Sequence, residues 1–238
     1  MERMALVGTI FIVLAILLFG EWMWRRQRIH GEFSRKFVHI TVGSFVAFWP
    51  YFLSVNEIRL LSLGFIIVAA LSKYFHIFTA IHSVQRTTWG EFWFALVVGL
   101  LASMAAHPHI YTTALLSMSL ADGLAAVIGT HFGNSTRYKV FGSVKSVVGS
   151  LTFAIVMALI LTGYNMTTPG ALPLLALLST VVVSTVLENV AIKGFDNLLV
   201  PLFVAAVLHY FAQSLGAPGT VSTEGVENDE YINRFLHK

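Results

Sequence analysis

The sequence predicts an all-α, polytopic membrane protein of about eight transmembrane helices, with both termini on the non-cytoplasmic side. Three observations carry that prediction. Hydrophobic residues make up 56% of the 238 and charged residues only 11%, with a mean hydropathy of +0.76, far from the balance of a soluble domain. Apolar runs long enough to cross a bilayer recur along the whole chain. Lys and Arg fall almost wholly on alternate connections, the bias that orients membrane proteins.

The runs are residues 4–20, 37–53, 58–75, 91–106, 110–130, 147–163, 172–191 and 197–213. The first has the length of a secretory leader, but Glu2 and Arg3 make a weak basic start and "GEWMWRRQR" lacks a small-residue cleavage site, so it reads as helix one. If Arg25, Arg26, Arg28, Arg35 and Lys36 hold the first connection in the cytoplasm, alternating passage places Lys73, Arg86, Arg137, Lys139, Lys145 and Lys193 there as well. Only Arg3, Arg59, Arg234 and Lys238 remain outside. The outer connections "SVNE", "HPH" and "YNMTTPGAL" are short. Residues 1–213 read as one helical domain, and 214–238 as a polar, turn-rich, peripheral tail without chemistry.

Cysteine is absent, which excludes disulfides and thiolate metal sites. The net charge of +3 is accounted for by membrane orientation, so no nucleic-acid partner is expected. No internal repeat is visible, which weighs against an inverted-repeat carrier.

The polar residues inside this apolar chain are the functional signal. "GEFSRKFVHI" opens helix two with Arg35, Lys36 and His39; Arg35 and His39, four apart, share a face and suit a phosphate or lipid headgroup as well as simple anchoring. In "RTTWGE", Thr88 and Glu91 have capping-box spacing, which explains Glu91 structurally. Helix five carries Asp122 in its middle, where a carboxylate costs about 2.5 to 3.5 kcal/mol and usually marks a site. Ala125, Ala126, Gly129 and Gly133 lie below it on the same face, open either to close helix packing or to close approach of a ligand. The loop "FGNSTRYKVFGSVKSVVGS" leads into helix six with Ser143 as an N-cap candidate. That places Lys145 and Ser146 in a first turn whose free N–H groups attract anions. Helix seven has Thr180, Ser184 and Glu188 at steps of four, ending in Asn189. "KGFDNLLVP" then opens helix eight with Asp196 as N-cap candidate, Asn197, and Pro201, expected to break the backbone locally.

Under the charge-derived topology Arg35, Lys36, His39, Lys145, Glu188, Asn189, Asp196 and Asn197 all fall at cytoplasmic helix ends, with Asp122 deeper. Carboxylates hold Mg²⁺, while Lys, Arg and helix N-termini hold phosphate oxygens. Gathered at a membrane face, they are the equipment of phosphoryl transfer between a water-soluble and a lipid reactant.

In order and spacing, "RKFVHITVG", "SLADGLAAVIGTHFG", "KSVVGSLTF" and "ENVAIKGFDNLLVP" resemble the CTP-dependent polyprenol kinase family, which contains phytol kinase, dolichol kinase and CTP-dependent diacylglycerol kinases. The short chain is most similar to the phytol kinase branch, and Val148 stands where many dolichol and diacylglycerol kinases carry glutamate. The resemblance implies transfer of the γ-phosphoryl group of CTP to the hydroxyl of an isoprenoid alcohol at the cytoplasmic face; which membrane carries the protein is open, with a prokaryotic inner membrane the simpler expectation. It further implies Mg²⁺ on Asp122 with Glu188 or Asp196. Lys145, the Ser146 backbone, Gly129, Gly133, Arg35, Lys36 and Asn197 would hold the triphosphate, and His39 or Asp196 would assist hydroxyl deprotonation. Two other readings use the same residues: a cytidylyltransferase making a CDP-lipid, and an ion-coupled carrier with Asp122 and Glu188 as relay. The particular alcohol and the oligomeric state stay open.

Overall fold

The computed structural model describes residues 2–26, 28, 31–75, 89–104, 107–168 and 172–215. The expected tail from 216 onward and the connection 76–88, with Arg86 and Thr88, lie outside the described residues, as do the side chains of Arg3 and Lys73.

Among the described residues the chain forms eight helices: α1 (Glu2–Arg25), α2 (Gly31–Ala47), α3 (Val55–Phe75), α4 (Gly90–Met104), α5 (Pro108–Phe132), α6 (Val147–Thr167), α7 (Leu174–Val190) and α8 (Asp196–Leu215). By length and composition α1, α5, α6 and α8 are apolar enough to cross a membrane, and α4 and α7 are shorter apolar helices. This is an all-α membrane protein.

Its periodicity is turned outward. On α6, Leu151, Ile155 and Leu159 are exposed at steps of four, while Phe153, Met157 and Leu161 on the opposite side are buried. On α7 the outer stripe is Leu178, Val182 and Val186, all exposed, and the buried one is Thr180, Ser184 and Glu188. A helix that shows large apolar side chains outward and keeps polar ones inside is built for lipid surroundings. Helix α5 is the hub. It packs on α2, α6 and α8, and α8 in turn reaches α4 and α7; α1 packs on α2, and α3 runs along α4. Trp49, Tyr111, Ile58, Leu101 and Leu208 fill the centre.

Three sequence expectations need correction. The apolar run 37–53 is not helical to its end: helix two opens at Gly31, with Arg35, Lys36 and His39 in its first turns as "GEFSRKFVHI" suggests, but stops at Ala47 before the turn Trp49–Tyr51, where Pro50 has no N–H to continue it. Pro201 does not break α8, which runs continuously through it. Ser143 is not a cap: it opens a strand. β1 (Arg137–Val140) and β2 (Ser143–Ser146) pair antiparallel, with Val140 opposite Ser143. Phe141 and Gly142 have φ of 45° and 81°, the two positive values of a tight hairpin turn. The cap of α6 is Ser146, whose Oγ accepts from Gly149 N–H at 3.1 Å.

Candidate active site

Helix α5 is not uniform. Residues Ser117–Asp122 form a π-turn, a local widening often found at functional sites, and Asp122 is its last residue. Ten residues separate Asp122 from the helix end at Phe132, so at about 1.5 Å per residue it lies roughly 15 Å inside. Its carboxylate is buried and accepts from Lys36 Nζ; His39 Nε2 lies 3.5 Å from the same oxygen and 3.4 Å from the Met118 carbonyl. A charge at that depth is tolerated because a cation is buried with it. The close crossing of α2 over the π-turn puts that cation there: a methyl on Gly123 would collide with Ile40, and one on Gly43 with Ser119.

The second ion pair comes from the hairpin. Lys145 Nζ donates to Glu188 Oε1 and, at 3.0 Å, to the Glu188 backbone carbonyl. Burial pushes the Lys145 ammonium down, but the Glu188 and Asp196 carboxylates outweigh it and hold its pKa above the usual lysine value. Tyr138 of β1 anchors the hairpin: its hydroxyl lies 2.6 Å from Ser150 Oγ and donates to Asn189 Oδ1, which also accepts from Ser150 at 2.9 Å.

Asp196, the first residue of α8, completes the centre. Carboxylate oxygens of Asp122, Glu188 and Asp196, from three helices, lie within 4.8 Å of one another. Hard oxygen donors so close, with one oxygen of Asp122 engaged by Lys36, fit a divalent cation that keeps waters or phosphate oxygens in its remaining positions. The lysines keep capacity too. An ammonium has three N–H donors; Lys145 spends two on Glu188 and Lys36 one on Asp122 among the described residues.

These groups line a cavity of about 830 Å³, in the size range of small-molecule sites. Arg35, Lys36, Asp122, Gly129, Lys145, Ser146, Glu188, Asp196 and Asn197 all contribute to its wall. Two sequence candidates do not. Gly133 packs against Ser146, where a Cβ would overlap that side chain, so its smallness serves helix packing and not ligand approach. His39 stands behind Asp122 and lines a neighbouring apolar cavity instead. Gly129 does both jobs: a Cβ there would come within 2.9 Å of Ser146 Oγ and 3.0 Å of Gly149 Cα.

Sequence reasoning missed Arg137, Phe141 and Lys193, which also line the cavity. Lys193 and Gly194, with φ of 54° and 83°, turn the chain from α7 into α8, as Phe141 and Gly142 do in the hairpin. The dipeptides "FG" and "KG" were the available signal. Gly194 presses on Gly90 so tightly that a Cβ would sit 2.7 Å from its Cα, and Trp89 N–H donates to Lys193 O at 3.1 Å.

No family model matches the sequence, and no solved structure is significantly similar. Among curated proteins the chain is 33% identical over 203 residues to a phytol kinase from Synechocystis, covering 81% of this chain and 85% of that protein. It is 26% identical over 174 residues to a probable chloroplastic phytol kinase 2 of rice, covering 64% of this chain and 54% of the rice protein. Identity of that level over so much of both chains, together with the four motifs converging on one cavity, places this chain in the polyprenol kinase family, to which phytol kinases belong.

Proposed function

We propose that the protein transfers the γ-phosphoryl group of CTP to the hydroxyl of an isoprenoid alcohol of the phytol, farnesol or polyprenol type. The observation that carries this reading is the meeting of Asp122, Glu188 and Asp196 within 4.8 Å, beside amines with spare donors. Acids for a metal and amines for phosphates, on one cavity wall, suit phosphoryl transfer, which depends on positioning and charge stabilisation. The chemistry and kinship of the phytol kinase relatives support the acceptor class.

Mg²⁺ held by the three carboxylates would neutralise charge on the triphosphate oxygens. The chain supplies the rest. Lys36, Lys145 and Arg35 hold phosphate oxygens, with the hairpin's Arg137 at the cavity wall. The acceptor oxygen forms a bond to the γ-phosphorus, the bond from that phosphorus to the β–γ bridging oxygen breaks, and CDP departs. The hydroxyl proton passes to His39 or Asp196. Where Nε2 of His39 carries its hydrogen towards Asp122 and the Met118 carbonyl, Nδ1 keeps a lone pair for this task. The lysine and arginine distribution supports eight spans with both termini outside, and a cavity facing the cytoplasm of a prokaryotic inner membrane.

The test is product analysis with purified protein, each of the four nucleoside triphosphates in turn, and a panel of lipid alcohols. CDP and a lipid monophosphate are expected. Pyrophosphate and a CDP-lipid would replace the proposal with a cytidylyltransferase. Uptake into proteoliposomes without nucleotide turnover would replace it with a carrier.

A further inference from the structure

Beside the polar cavity lies a smaller, apolar one of about 120 Å³. Val13 and Leu17 of α1 form one wall, Phe65 and Val68 of α3 the other, with Val42 and Phe94 behind. Val68 is 43% exposed, and so are Ile67 and Leu71 on the same helix and, on α1, Leu14 and Leu18 next in sequence to Val13 and Leu17. The cavity therefore reaches the outer, lipid-facing surface between α1 and α3.

Its inner end is polar. Arg35 and Asn197 line this cavity and the 830 Å³ cavity alike. Their side chains meet over Gly90, where a methyl would sit 3.0 Å from Asn197 Nδ2 and 3.8 Å from Arg35 Nη1. Asn197 Nδ2 donates to the Gly90 carbonyl at 3.0 Å, and Arg35 Nη2 to Glu32 at 2.5 Å. The opposite atoms, Arg35 Nε and Asn197 Oδ1, are buried and have no hydrogen-bond partner among the described residues. Burying an unpaired donor and an unpaired acceptor costs free energy, and such groups ask for an explanation. At this seam Arg35 offers donors and Asn197 both a donor and an acceptor, and a hydroxyl, which accepts one hydrogen bond and donates another, suits such a pair. A carboxylate or phosphate only accepts.

We propose that a single-chain lipid alcohol enters sideways from the bilayer between α1 and α3, with its hydroxyl at the Arg35–Asn197 seam and its first carbons in the apolar groove. The proposal rests on the phosphoryl-transfer reading and adds where the acceptor lies. Laid in this way, the hydroxyl is the part that reaches the polar cavity, with His39 at the same groove end and the chain trailing into lipid. At roughly 30 Å³ for a water-sized group, the groove admits about four such groups. That holds the hydroxyl end of one chain, and the restriction to a single chain follows from the isoprenoid acceptor of the proposed function.

The first test needs no catalysis. In proteoliposomes of the full chain, a single-chain alcohol bearing a diazirine near its hydroxyl should label peptides of α1 and α3 around Val13 and Val68. Excess phytol should displace the label, and diacylglycerol should not. Label on other helices, or spread over the whole lipid-facing surface, overturns the groove; equal competition by diacylglycerol overturns the single-chain restriction. The second test uses kinetics. Val68→Trp and Ala69→Phe fill the groove and should raise KM for phytol about tenfold or more, with the nucleotide KM within about twofold of wild type. Leu63→Trp, on the same helix but outside the groove, should change neither. Unchanged phytol KM in both groove variants also overturns the proposal. Wild-type protein that makes no lipid phosphate removes the kinase reading, while the labelling pattern still decides the groove.

Discussion

Removing the charge of Asp122 tests stability and chemistry separately. Asp122→Asn leaves Lys36 as a cation 4% exposed without its carboxylate, and breaking one side of a buried pair costs about 3 to 5 kcal/mol. For a chain of this size that corresponds to a fall in melting temperature of about 10 °C. It also removes one of the three carboxylates that meet within 4.8 Å, and losing one such electrostatic element costs about 10²- to 10³-fold in kcat. The double variant Lys36→Met with Asp122→Leu replaces both charges by apolar groups and should recover stability to within about 1 kcal/mol of wild type, while staying inactive. The assay pairs tryptophan-fluorescence melting in detergent with lipid monophosphate formation. An Asp122→Asn protein that melts with wild type and keeps kcat within about twofold would refute both the buried pair and the catalytic centre. A double variant that recovers activity along with stability would refute the centre alone.

Further outcomes follow from single contacts. Lys145→Met removes a charged donor to phosphate worth about 1.5 to 3 kcal/mol, so the nucleotide KM should rise about 10- to 150-fold, with the alcohol KM unchanged in the same steady-state assay. Because Glu188 raises the folded-state pKa of Lys145, the pair's stabilisation is complete below the unfolded lysine value of about 10.4 and is lost as pH climbs through the raised one. The difference in melting temperature between wild type and Lys145→Met should therefore hold constant to about pH 10 and shrink above it. Gly129→Val forces bulk against Ser146 and the Gly149 backbone and should cost about 1 to 3 kcal/mol. Gly64→Ala, on α3 with nothing within 4 Å of the added methyl, should stabilise by about 0.5 to 1 kcal/mol; thermal melts compare the two. Tyr138→Phe deletes the hydroxyl that joins the hairpin to Ser150 and Asn189, which costs about 1 kcal/mol and should raise the nucleotide KM, with a smaller change in kcat.

Much of the site was legible because a membrane chain makes polar residues conspicuous. Asp122, Glu188 and Lys145 stand out against apolar runs, and a carboxylate at depth signals function by its cost alone. Their pairing was not legible. Lys36 with Asp122 and Lys145 with Glu188 join residues 86 and 43 positions apart, a separation at which no sequence periodicity operates. The hairpin was missed because "RYKVFGSVKS" is short and carries Lys on both strands, and because its turn depends on a non-glycine residue, Phe141, at positive φ. His39 was grouped correctly with Arg35 on one face of α2, yet helical spacing does not say on which side of Asp122 a face will lie.

The sequence by itself determined that the chain belongs in lipid, that its interior rather than its surface carries the charge, and which residue types were available for phosphates and a cation. Those follow from local chemistry: transfer free energy is a property of each side chain, and it sums along a run. Only the tertiary structure decided that three carboxylates on α5, α7 and α8 share one space, that Gly133 is spent on packing while Gly129 also faces the cavity, and that Arg35 and Asn197 stand on the seam between a polar cavity and an apolar groove. Those depend on helix crossings, which are set by the close approach of glycines to particular neighbours across the bundle, a relation between distant segments that no single segment contains.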